Sequence, residues 1–137
     1  MSALLSAINA ARAQARVCTA GGSTLPAVAA LAWNAQLAAA ADRHSADMAG
    51  NNFFSHTGSD GSTFDQRITQ AGYRWTSAGE NIAAGYSSVV DVVQGWLGSP
   101  GHCVNIMSAS YTEFGASCRY SAASQYKSYW TTDFGRR

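Results

Sequence analysis

The chain has 137 residues, a length that gives one domain and a normal core without a compulsory metal or disulfide scaffold. Apolar residues make up 47% and charged residues only 12%, about half the usual share of roughly 25%, so the surface is polar through Gly, Ser, Thr and Asn rather than ionic. The net charge of +1, with no basic run beyond Arg136-Arg137, excludes the strongly basic face of a nucleic-acid binder, and no apolar stretch approaches the roughly 20 residues of a bilayer span.

In chain order, Leu4, Leu5, Ile8, Ala11 and Ala15 recur at spacings of three and four, which predicts a helix from Ala3 to about Arg16. Its Asn9, Arg12, Gln14 and Arg16 make it amphipathic rather than a secretory leader, so any export signal lies outside this sequence. Thr19 to Pro26 reads as a loop. A longer helix is expected from about Val28 to Ala49, with Trp33, Leu37, Ala40, Ala41, His44 and Met48 on one face and Gly50-Asn51-Asn52 closing it. Phe53 to Ser62 is a loop carrying His56, and Thr63 caps a short helix from Phe64 to Ala71. Arg74 to Gly85, with Glu80, reads as extended or irregular. Ser87 or Ser88 caps a helix from Val89 to Leu97, with Val89, Val92, Val93 and Trp96 inward, and Ser99-Pro100-Gly101 is a turn. Phe114–Tyr120 and Tyr126–Phe134 are expected strands joined by a polar turn around Ser121–Ser124. Helices first and strands last predict an α+β layered domain over residues 1–137.

The chain holds only three His and two Glu. His56, Glu80 and His102 all fall in or beside expected turns, where functional side chains tend to be presented. Two imidazoles and one carboxylate form the ligand set of many open zinc sites, although separations of more than twenty residues make this no local motif. Bland roles stand beside that one: Glu80 accepting backbone hydrogen bonds that pin Ser77–Ile82, His102 shaping the turn, His56 an ordinary loop residue. His44 sits on the buried helical stripe and is read as packing, and Glu113 as solvated in a turn before Phe114. Adjacent His102 and Cys103 diverge too much for a nucleophilic pair, no Gly-x-Ser-x-Gly elbow occurs, and Gly58–Ser62 lacks the Lys and the context of a phosphate loop. Three cysteines, Cys18, Cys103 and Cys118, allow at most one intramolecular disulfide and show no zinc or redox spacing.

Phe53-Phe54-Ser55-His56, Gly79-Glu80-Asn81-Ile82-Ala83, Gly95-Trp96, Ser99-Pro100-Gly101-His102, Asn105-Ile106-Met107, Phe114-Gly115, Tyr129-Trp130 and Phe134-Gly135 follow one another along nearly the whole chain. In that order they resemble the CAP superfamily of cysteine-rich secretory, antigen 5 and pathogenesis-related proteins (SCP-like domains), above all its bacterial secreted branch. The resemblance implies a three-layer α-β-α sandwich with a central antiparallel sheet and a cleft. In many members two His and two acidic residues of that cleft bind a divalent metal, often zinc. His56, Glu80 and His102 match three of the four, with Glu80 either a ligand or a partner behind an imidazole. The fourth, an acid three residues after the Trp, falls at Ser99, which is neither a good ligand nor a carboxylate base. Ser99 and Asn81 are carried as cleft residues. The resemblance also implies a Cys18–Cys103 disulfide, with Cys103–Cys118 as the rival pairing.

The expected protein is therefore extracellular or periplasmic and monomeric. It would act through an unidentified lipid, sterol, peptide or host-protein ligand at a cleft that takes zinc weakly. A metal-dependent hydrolase, peptidase-like, and a sterol or lipid carrier are the alternatives. Catalysis is the weaker reading because of Ser99.

Overall fold

A computed structural model describes all residues, Met1–Arg137. The first helix, α1 (Ser2–Arg12), turns Leu4, Ile8 and Ala11 into the core. It stops a turn earlier than the expected Arg16. The fully buried Arg12 guanidinium leaves the helix to donate to the carbonyls of Ala29, Ile106 and Ser108, at 2.9, 2.7 and 2.9 Å. Arg16 belongs instead to β1 (Arg16–Val17), paired antiparallel with β2 (Thr24–Leu25).

The second expected helix also starts later. Ala32–Trp33 forms β3, parallel to the start of a later strand, and α2 (Ala35–Asn51) begins only where the Asn34 side chain accepts from the Gln36 and Leu37 amides. An Asn cap competes successfully with helical continuation because it satisfies two orphan donors at once. Trp33 is thus on the sheet edge and exposed, not on the buried stripe, whereas Leu37, Ala40, Ala41, His44 and Met48 are buried as expected. Asn52, in the left-handed region, closes α2. The short helix α3 (Phe64–Gln70) opens with a Thr63–Gln66 capping box.

The stretch expected to be extended or irregular is a regular strand, β4 (Ser77–Ala84). Ser88 caps α4 (Val89–Leu97), which buries Val92, Val93 and Trp96. The expected turn at Ser99-Pro100-Gly101 opens a further helix, α5 (Pro100–Ile106). Proline at the first helical position loses no hydrogen bond there. The chain ends with β5 (Glu113–Tyr120) and β6 (Ser128–Arg136).

The sheet order is β3-β5-β6-β4, antiparallel along its three long strands with short β3 added parallel at one edge. One face carries α2, which approaches β5 so closely that a Cβ on Gly115 would strike the backbone of Leu37 and Ala38. The other face carries α1, α4 and α5, with Phe114, Ala116, Trp130 and Phe134 packed among Leu4, Ile8, Val92, Trp96 and Ile106. The result is a three-layer α-β-α sandwich. β6 lies inside and is buried along Tyr129–Gly135, while β4 forms an edge. Cys18 and Cys103 form a disulfide that ties the β1–β2 region to α5; Cys118 on β5 is the free thiol, so the rival Cys103–Cys118 pairing does not occur. No helix is long and apolar enough to cross a membrane.

Candidate functional site

The site straddles the free edge of β4. His56 reaches it from the α2–α3 loop on one face of the sheet, and His102 from α5 on the other. The loop is braced from α2: His44 Nε2 donates to the Ser55 carbonyl at 2.7 Å, and Asp47 accepts from both the amide and the hydroxyl of Ser59. α5 is fixed by two amides. Asn81 Nδ2 donates to the His102 carbonyl at 3.1 Å, and Asn105 Nδ2 donates to Asn81 Oδ1 and to the Glu80 carbonyl at 2.9 and 3.3 Å. Asn81 is fully buried, so its part is to hold α5 against β4 rather than to meet a ligand.

Behind His56, Glu80 forms the floor. Its Oε1 accepts from His56 Nδ1 at 2.9 Å and its Oε2 from the Arg67 guanidinium at 2.8 Å. The His56 side chain is 53% exposed, while those of Glu80 and Arg67 are 0% and 1% exposed. Because the carboxylate can only accept, Nδ1 carries the proton and a neutral His56 turns the Nε2 lone pair outward. His102 is half-buried beside Phe54, Trp96 and Ser99 in a hollow of about 280 Å³. Burial lowers its pKa, with a smaller contribution from His56. Ser99 caps α5 without spending its hydroxyl on the cap and lines the same hollow.

Beneath the floor, Asp133 lies opposite Glu80 in the β4–β6 register and is completely buried. No N–H or O–H of the protein reaches either of its oxygens; its polar neighbour is the Glu80 carboxylate. Two carboxyl groups can share a hydrogen bond only when one is protonated. Burial, and then the Glu80 charge, push Asp133 well above the usual carboxylate range and assign it the proton. Burial alone would also raise Glu80, but the His56 hydrogen bond, the Arg67 charge and the Asp133 proton together hold it below its ordinary value. Glu80 is therefore favoured as a buried carboxylate. Buried His44 is lowered chiefly by desolvation; with Nε2–H donating to Ser55, its Nδ1 has no partner.

His56, Glu80, His102, Ser99 and Asn81 all gather around the β4 edge, His102 from a helix rather than a turn. Glu80 pairs with His56 and Arg67, not with backbone donors along Ser77–Ile82. Glu113 is not a solvated turn residue: it starts β5 and accepts from Tyr73, Asn34 and Arg137. Sequence reasoning does not single out Arg67 or Asp133. Arg67 reads as the polar side of a short helix. Asp133 carries a usable signal, a lone charge within the otherwise uncharged, aromatic and β-branched run Tyr129–Phe134 of the inner strand. No group of three or more His, Cys, Asp or Glu side chains converges at metal-holding geometry, so the exposed donors reduce to the two imidazoles.

The profile of the cysteine-rich secretory protein family, CAP, matches residues 5–134. The chain belongs to the CAP family. A solved extracellular protein containing an SCP domain, from Bacillus anthracis, is 36% identical with a TM-score of 0.70, over 80% of this chain and 35% of that one. An outer surface protein of Borrelia burgdorferi has the same fold, with a TM-score of 0.82 over 100% of this chain and 92% of its own at 22% identity. Among curated sequences, the uncharacterized membrane protein YlbC of Bacillus subtilis is 36% identical over 88 residues, 64% of this chain and 25% of YlbC. The CAP domain thus spans about a quarter to a third of the length of the curated relatives it matches.

Proposed function

We propose that this CAP domain is an extracellular binding module. In this reading the β4-edge cleft presents His56 and His102 to a ligand or a weakly held divalent cation and does not hydrolyse a substrate. The observation that carries the reading is the commitment of Glu80. Both of its oxygens are taken, by His56 and Arg67, and its side chain has no exposed surface. A metal hydrolase needs a carboxylate or comparable base within reach of the activated water. Here the one carboxylate at the cleft is turned inward, and the position that would supply a second is Ser99.

The donor set suits zinc in a limited way. Two neutral imidazoles, one of them oriented by a carboxylate behind it, match the usual pattern of histidine ligands. Such an ion would supply Lewis acidity and a docking point for an oxygen or sulfur of the partner. Half of a tetrahedral shell would have to come from water or that partner, so binding is expected at micromolar or weaker affinity. Protons compete for both lone pairs, so affinity falls with pH. The lowered pKa of His102 keeps its own lone pair available below the ordinary imidazole value. The sterol or lipid alternative rests on a gap between α1 and α4 of about 290 Å³, lined by Ala7, Ala10, Ala11, Val93 and Leu97. That is no larger than small-molecule sites at their lower limit, about 300 Å³, and its lining also includes Gln14, Arg16 and Gln94, polar groups that a sterol would have to desolvate, which makes it secondary to the cleft.

Calorimetric titration with zinc at about pH 7.5, above the usual imidazole value, tests the proposal. Weak, saturable binding should vanish in His56→Ala and in His102→Ala. Binding of equal strength in both variants would remove the site. Zinc-dependent peptide hydrolysis abolished by Glu80→Gln would replace the reading with the hydrolase.

A further inference from the structure

Beyond Tyr86 the cleft opens into a second depression at the end of the sheet, about 520 Å³ in volume. It is lined by Tyr86, Cys118, Tyr120, Tyr126, Lys127 and Trp130, among smaller residues. The pairing register explains why these side chains meet. Cys118 faces Trp130 and Tyr120 faces Ser128 across β5 and β6, so all four point to one side at the strand ends. Tyr86 joins them because its carbonyl accepts from Ser128 Oγ and Trp130 Nε1, at 2.6 and 2.9 Å. The two depressions are continuous: Tyr86 lines both, and Phe54 of the cleft meets Tyr126 edge-on with ring centres 6.2 Å apart.

We infer that this groove is a binding site for an uncharged glycan chain, with Tyr120 and Tyr126 as its stacking platforms. Three properties select that chemistry. The first is charge: no carboxylate lines the groove, and its one cation, Lys127, donates its Nζ to the Ala122 carbonyl at 2.7 Å. The second is the rings. Tyr120 and Tyr126 are 71% and 43% exposed, and a tyrosine offers an apolar face to a pyranose C–H surface and a hydroxyl to the sugar's rim. A lipid would be served by an enclosed apolar cavity instead. A proline-rich peptide would need an indole N–H free to meet its carbonyls. The Trp130 N–H is already bound, to the Tyr86 carbonyl.

The third property is rigidity. The β5–β6 turn holds Lys127 at φ 70°, a left-handed backbone that a lysine adopts only under constraint. Bonds from Ser121 N to Lys127 O and from Lys127 N to Ser124 Oγ, at 2.8 and 3.2 Å, enforce it. A further bond, from Gln125 N to Asn52 Oδ1 at 2.8 Å, anchors the turn to the end of α2. The backbone that carries Tyr126 is thus set before any ligand arrives, which lowers the ordering cost of binding.

The glycan site is independent of the metal reading, because zinc calorimetry reads the imidazoles and glycan binding reads the tyrosines. The test is calorimetric titration of the protein with chitohexaose and with cellohexaose. At least one should bind saturably with Kd at or below about 1 mM. Tyr120→Ala and Tyr126→Ala should each weaken it about tenfold, the effect of truncating an aromatic anchor, while Tyr120→Phe retains most of the affinity. Saturating glycan should slow maleimide alkylation of Cys118, the only free thiol, several-fold. Absence of binding by both hexasaccharides, wild-type affinity in Tyr120→Ala, or tyrosine-dependent binding of decaproline in place of either glycan would overturn the inference.

Discussion

The two sides of β4 are built on opposite principles. Beneath it, Glu80, Arg67, Asp133 and His44 form a dry ionic cluster in which the carboxylate of Glu80 is shared among three neighbours. Beside it, the stretch from Phe54 through Tyr86 to Tyr120 is open and aromatic, with Lys127, held on the Ala122 carbonyl, as the one charge of its far end. In a protein with few ionic residues, those spent at the site orient an imidazole from below and leave its open surface to aromatic rings. A buried charge that has lost its partner is costly, whereas an exposed ring can be changed at little cost to the fold.

The largest expected effect follows directly. Glu80→Ala strands the Arg67 guanidinium without a counter-charge and should cost about 3–5 kcal/mol in denaturant unfolding. Tyr120→Ala should leave stability within about 0.5 kcal/mol, as for other surface changes. Equal costs for the two would erase the contrast. A cost near 1 kcal/mol for Glu80→Ala, the net contribution of one ordinary hydrogen bond, would mean that water enters beneath β4.

A smaller, pH-dependent effect comes from Asp133. Its folded pKa is raised, so the stabilisation tied to its proton is complete below the unfolded value of about 3.9. That stabilisation is lost progressively as pH rises toward the folded value. Asp133→Asn keeps the shape, supplies an N–H to Glu80 and has no proton to lose. Relative to wild type, Asp133→Asn should therefore gain stability as pH rises from 5 to 8, by up to about 1.4 kcal/mol per pH unit. Urea unfolding at both values measures it. A difference that stays constant with pH would show Asp133 ionised in the folded protein and contradict the shared proton.

Much of this fold was legible from the periodicity of Leu37–Met48 and Val89–Trp96, from the capping residues Thr63 and Ser88, and from motif order along the chain. The errors fell where local propensity met a long-range partner. Residues 28–33 fit a helical pattern, but Ala32–Trp33 is drawn into parallel pairing with Glu113–Phe114 and the helix starts only after Asn34. Arg12 ends α1 because three distant carbonyls take its guanidinium. His56, Glu80 and His102 were legible as a set only through the family resemblance, since they come from three elements that pack around one sheet edge. What holds them was less visible. Arg67 and Asp133 act through burial, and burial on β6 depends on helices covering both faces of the sheet. The tyrosine groove was not legible at all, because Tyr86, Tyr120 and Tyr126 come from a loop, a strand end and a turn that only tertiary contacts bring together.

The orientation of His56 is the point on which the binding-module account turns, and it can be read in solution. Long-range ¹H–¹⁵N spectra of the metal-free protein at about pH 8, above the ordinary imidazole value of about 6.5, report the tautomer of each ring. The structure requires His56 to carry its proton on Nδ1, donated to Glu80, with Nε2 unprotonated and facing the cleft. A His56 protonated on Nε2 would mean that the glutamate does not hold the ring, and would free Glu80 to act as a base.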